Sequence, residues 1–61
     1  MSNPYDQAAI TTILRTVGPR TAADLAKALR WPRTRARTTL TILEQAGTVR
    51  HNTNRTWELT Q

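Results

Sequence analysis

The residues best able to do chemistry in this sequence are arginines. Arg30, Arg33, Arg35 and Arg37 fall within the stretch Arg-Trp-Pro-Arg-Thr-Arg-Ala-Arg, which contains no acid. A guanidinium presents a planar fork of donors that matches phosphate oxygens and guanine edges, a match that a lysine point charge does not make. Thr34, Thr38 and Thr41 are interleaved with these arginines, and a threonine offers a hydroxyl and a methyl group to the edges of bases. Arg50 and Arg55 form a second basic group further on. The chemistry implied is the binding of a phosphate-rich polymer. Two plainer readings compete: an outer helix face is often only solvated, and a GC-rich genome favours Arg over Lys. Neither accounts for a cluster without compensating acids.

Other chemistries lack their parts. There is no cysteine, so no disulfide framework, thiol nucleophile or thiolate metal site can form. His51 is the only histidine beside four scattered acids, so no metal site is expected and His51 reads as a polar hairpin residue. Without a serine–histidine pair, a glycine-rich phosphate loop or a carboxylate dyad, the expectation is no catalytic residue, no cofactor and no enzyme. Nine Lys+Arg against four Asp+Glu give a net charge of +5, a strong positive field for 61 residues. Apolar runs are too short for a membrane span, and Met1-Ser2-Asn3-Pro4 lacks the regions of a signal peptide. A cytoplasmic protein with no membrane partner is therefore expected.

These side chains need elements to position them, and the length allows one domain, 1–61. Tyr5, Ala9, Ile10, Ile13, Leu14 and Val17 recur at three and four residues, which predicts helix 1 over about 4–17. Asn3 would cap it, Pro4 would occupy its first position, and Gly18-Pro19 would end it. Asp6 would sit in the positive first turn. Thr21-Ala-Ala-Asp24 reads as a variant capping box opening helix 2, about 21–29, with Ala22, Leu25, Ala26 and Leu29 inward. Pro32 would start helix 3, about 32–46, which Gly47 ends.

Beyond Gly47 the period changes to two. Val49 and His51 point one way and Arg50 the other, and Trp57 and Leu59 alternate with Thr56, Glu58 and Thr60. A hairpin over about 48–60 follows, with Asn52-Thr53-Asn54 as the turn because Asn tolerates left-handed backbone angles. On the helix 3 wheel, Ala36, Thr39, Leu40 and Leu43 face inward. Thr34, Arg37, Thr38, Thr41 and Gln45 face outward, with Arg33 and Arg35 on the flanks.

Three helices, the last two closely joined, then a basic hairpin make a mostly α chain with a small β-hairpin. The stretches Thr21-Ala-Ala-Asp-Leu-Ala-Lys-Ala-Leu29 and Trp31-Pro-Arg-Thr-Arg-Ala-Arg-Thr-Thr-Leu-Thr-Ile-Leu-Glu-Gln-Ala-Gly-Thr-Val49 resemble the winged helix-turn-helix cores of bacterial, archaeal and phage transcriptional regulators. The resemblance implies a small repressor that binds double-stranded DNA, with helix 3 in the major groove and the wing on the backbone. It makes Arg37, Thr34, Thr38 and Thr41 the reading face. Arg33 and Arg35 would grip phosphates, Arg30 would lie on the approach turn, and Arg50 and Arg55 would act at the wing. Backbone amides near Thr21 offer a further phosphate contact.

The alternative is a winged helix whose basic face meets an acidic protein partner. The layout also resembles Z-form nucleic-acid-binding winged helices, departing from them at Arg37, at Thr41 and in a wing without paired prolines. Trp57 is expected to pack the hairpin on the core. Trp31 is open between packing and DNA contact, and Ile42 between wing packing and a partner contact. Tyr5 is expected in the core, and an uncovered apolar edge on helix 1 would form the seam of a homodimer.

Overall fold

The computed structural model describes residues 4–60. Its elements are α1 (Pro4–Val17), β1 (Arg20–Thr21), α2 (Ala22–Leu29), α3 (Arg33–Gln45), β2 (Val49–His51) and β3 (Thr56–Leu59). The architecture is mostly α with a β-hairpin wing, as the sequence pattern predicts. The expected Asn3 cap lies outside the described residues.

The core forms where the three helical stripes meet the inner face of the hairpin. Ile10 and Leu14 from α1, Leu25 from α2, Leu40 and Leu43 from α3, and Val49 from β2 are buried together. Ile13, Ala22, Leu29, Trp31, Trp57 and Leu59 pack around them half-buried. Tyr5 is not part of this core: it is 85% exposed. The inward stripe of α1 runs Asp6, Ile10, Leu14 at four-residue spacing. Tyr5, five residues before Ile10, is turned about 140° away from it at 3.6 residues per turn. The inward position in the first turn goes instead to Asp6, which is 7% exposed.

The ends of α2 and α3 have identifiable causes. The Thr21 hydroxyl accepts a 3.0 Å hydrogen bond from the Asp24 amide and so caps α2. The reciprocal half of the capping box is absent, since Asp24 has a shorter side chain than the usual glutamate. Two bonds close α3: the Thr48 amide donates to the Leu43 carbonyl and the Gly47 amide to the Glu44 carbonyl, both at 2.9 Å, with Gly47 at φ +79°. This is the Schellman pattern, which needs a left-handed residue at its corner. The same pattern closes α2, where the Trp31 amide donates to Ala26 and the Arg30 amide to Lys27. Here the corner residue is Arg30, at φ 58°. Pro32 is the extended N-cap residue of α3 rather than its first turn, and its carbonyl accepts from the amides of Arg35 and Ala36.

The sheet has the order β1-β3-β2 and is antiparallel throughout. Its register places Val49 opposite Leu59, Arg50 opposite Glu58 and His51 opposite Trp57. Arg20 and Thr21 lie along the other edge of β3, opposite Trp57 and Thr56. This short third strand is not foreseen by the sequence pattern, because two residues carry no period to detect. The hairpin turn also differs from expectation. Its left-handed residue is Arg55, at φ 70°, and not an asparagine. The Asn52 amide donates to the Thr56 carbonyl and the Arg55 amide to the Asn52 carbonyl, as in a three-residue loop whose last residue is left-handed. The Asn52 side-chain amide donates to Thr56 and Glu58, while the Asn54 carbonyl oxygen accepts from the Thr56 hydroxyl at 2.6 Å. The asparagines hold the loop through their side chains.

Candidate functional site

The arginine-rich stretch is split in two by the helix that carries it. Successive residues on α3 advance by about 100°, so Arg33 and Arg37 lie one turn apart on one flank and Arg35 points to the opposite one. On the α1 flank, Arg35 meets the carboxylate of Asp6 with both arms of its fork: Nε to Oδ2 at 3.0 Å and Nη2 to Oδ1 at 2.7 Å. The same guanidinium lies over the Trp31 ring, 4.3 Å from its centroid, a cation–π contact.

These hydrogen bonds hold the Asp6 carboxyl below its ordinary value of 3.8. Desolvation opposes that effect, and the Arg35 charge adds to it. The bonds to Asp6 likewise raise the pKa of Arg35. The charge run therefore does have a compensating acid, supplied from 29 residues away in sequence. Trp31, open in the sequence reading, packs against the core and under Arg35.

The other flank faces the hairpin. Arg33 and Arg37 line an open cleft of about 530 Å³ together with Arg55 from the hairpin turn. The N-terminus of α2 forms another wall through Thr21, Ala22 and Ala23, and His51 and Trp57 complete the lining. Among the described residues, none that lines the cleft is acidic. Among the described residues, these three arginines make no ion pair, whereas Arg35 pairs with Asp6 and Arg50 with Glu58 at 3.2 Å. Local geometry explains the convergence. The joint after Arg30 turns α3 so that Arg33 and Arg37 line the same cleft as the start of α2, and the hairpin brings Arg55 to that space.

The remaining predicted residues lie outside the cleft. Thr34, Thr38 and Thr41 are exposed along α3, as is Gln45. Thr41 donates its hydroxyl proton to the Arg37 carbonyl at 2.9 Å, which leaves the hydroxyl lone pairs free to accept. Arg30 is exposed at the corner between α2 and α3, and Arg50 is engaged across the strands by Glu58. Ile42 is half-buried.

His51, expected as a polar hairpin residue, and Trp57, expected to pack on the core as it does, also line the site. Their rings stack at 4.2 Å between centroids and 12° between planes. The available signal was the alternation itself, which sets His51 on the same side of its strand as Val49 and Trp57 on the same side as Leu59. Only the register makes His51 and Trp57 neighbours. Among the described residues, no group of three His, Cys, Asp or Glu could hold a metal ion, and no helix is long and apolar enough to cross a membrane. Comparison with protein-family models, with curated proteins and with solved structures finds no match to this chain.

Proposed function

We propose that this chain binds double-stranded DNA as a small sequence-reading regulator. The observation that carries the reading is the convergence of Arg33, Arg37 and Arg55 on one cleft, with no carboxylate among the described residues of its walls. Like charges gathered at one place repel one another, and an anionic ligand relieves that repulsion. In DNA the anion is a phosphate backbone, gripped between α3 and the hairpin. The exposed threonine stripe of α3 then faces the major groove, whose width of about 12 Å admits a helix of about 10–12 Å diameter. Arg37 stands where the cleft meets that stripe, so it touches both phosphate and base edge. Arg35 is a positioning residue, fixing α3 against α1 through Asp6. The largest extent of the molecule is 23 Å, so one copy covers about seven base pairs at 3.4 Å per step.

The test is a duplex-binding series over salt concentration. Arg37→Ala is expected to weaken binding about tenfold and to reduce the slope of log affinity against log salt by about 0.9 if its main contact is a phosphate. Selection from a random duplex pool is expected to return an enriched short site. Unchanged affinity and slope in Arg37→Ala would remove α3 from the interface. No duplex binding at low salt, together with capture of an acidic protein, would replace DNA by a protein partner.

A further inference from the structure

We propose that the cleft between α3 and the hairpin is also a binding site for a single nucleotide with an unstacked base. Its phosphates would be held by Arg33, Arg37 and Arg55, and its base would lie on His51. The phosphates would meet three guanidinium groups that, among the described residues, have no acid partner and share one concave space. The base would meet the aromatic pair. Trp57 packs against the core and His51 stacks on it, yet His51 itself is exposed and lines the cleft. The pair is therefore anchored on one side and presents an open ring on the other. Aromatic faces of this kind take a base that is not already stacked between neighbours.

Duplex DNA does not use such a face, because its bases are stacked on one another. The aromatic surface is surplus to a backbone grip. Size agrees as well. The open cleft, at about 530 Å³, is within the size range of small-molecule sites.

A backbone feature points the same way. Arg55 holds its place at φ 70°, a conformation that disfavours any side chain bearing a Cβ. Glycine or asparagine would suit that corner better, so an arginine there costs stability while directing a cation into the cleft. The nucleotide could come from two sources, a free nucleoside phosphate or an unpaired residue of a strand, and the chemistry recognised is the same. Such a site needs neither a major groove nor a second strand, so its occupancy is independent of duplex binding.

The experiment is titration of the full chain, at one low salt concentration, with adenosine diphosphate and with inorganic pyrophosphate. Binding is read by calorimetry and by the ring-proton resonances of His51. The nucleotide is expected to bind about tenfold tighter than pyrophosphate, with upfield shifts of the imidazole protons. His51→Leu keeps Trp57 covered but removes the aromatic face. It is expected to reduce the nucleotide to the affinity of pyrophosphate, while Arg33→Ala weakens both ligands. Dispersed amide resonances establish that each variant is folded.

A duplex with a one-nucleotide overhang, compared with the blunt duplex, identifies the source. A preference for the overhang that His51→Leu abolishes assigns the site to strand ends or unpaired positions, whereas an advantage confined to the diphosphate assigns it to free nucleotides. Equal binding of diphosphate and pyrophosphate, no binding of either, or an advantage that survives His51→Leu would overturn the proposal. The diphosphate arm contains no duplex, so its failure leaves the duplex reading standing. Failure of the blunt duplex to bind leaves the nucleotide site standing.

Discussion

The two flanks of α3 use the same residue type for opposite ends. Toward α1, the Arg35 guanidinium is held by two hydrogen bonds to Asp6 and by the Trp31 ring, so its donors and its charge serve the joint between two helices. Toward the hairpin, Arg33 and Arg37 share a cleft with Arg55 and, among the described residues, meet no carboxylate. The positions are only two residues apart. What separates them is the helical turn and the presence of one acid on a neighbouring element. A run of arginines in sequence is thus not one feature, and a charge count overstates the cations available to a ligand.

The coarsest way to break this contrast is to remove the axis both flanks share. Leu40 is fully buried on the inner side of α3. Leu40→Ala is expected to destabilise by about 2–5 kcal/mol, which approaches the whole stability of a domain this small. A thermal melt should then show no cooperative transition at physiological temperature. An unchanged melt would mean that α3 is not anchored through this core.

The contrast itself is tested by binding. Arg33→Ala combined with Arg37→Ala is expected to lower duplex affinity about a hundredfold at low salt and to reduce the salt slope by about 1.8 if both contact phosphate. Arg35→Ala, in chain that still folds, should leave the salt slope near that of the parent. Equal slopes in the two variants would erase the distinction between the flanks.

Stability against pH reads the α1 flank alone. Because Arg35 depresses the folded-state pKa of Asp6, the pair's contribution is fully present above the ordinary carboxylate value. It is lost as pH falls through the lower folded value. Melting temperature should therefore drop below about pH 4 in the parent, and Asp6→Asn should be less stable at neutral pH with a flatter acid limb. An acid limb unaltered by Asp6→Asn would show that other carboxyls govern it.

A smaller effect separates stability from binding. Arg30 and Arg55 both occupy left-handed corners that glycine fits without strain, so Arg55→Gly is expected to gain about 0.5–1 kcal/mol. The same change should weaken phosphate binding. A variant that gains stability and keeps full affinity would take Arg55 out of the site. Least is expected of Arg50→Ala, since its exposed pair with Glu58 is worth about 0.5 kcal/mol or less, a shift visible only in a careful melt.

Much of this arrangement can be read from the residues in order. Periodicity places Ile10, Leu14, Leu25, Leu40 and Leu43 inward, and Gly47 and the Thr21 hydroxyl mark helix ends. Alternation from Val49 onward announces the hairpin. These are local matters: backbone preference, capping chemistry and the repeat of a helix or strand act over a few residues and leave their trace in the sequence.

Contacts between distant residues leave no such trace. Asp6 looks like a first-turn acid complementing a helix dipole until α1 and α3 pack, and Tyr5 looks like a core residue until the stripe settles on its neighbour. His51 and Trp57 become a stacked pair only through the register of β2 and β3, and β1 exists only because β3 offers an edge.

Short-range spacing alone therefore sets the three helices, the hairpin, most of the core and the basic character of α3. Which arginines remain available, and that three of them converge beside an aromatic face, was decided by the tertiary structure. Pairing and convergence depend on distances between elements, and those are fixed only when the helices and hairpin close around one core.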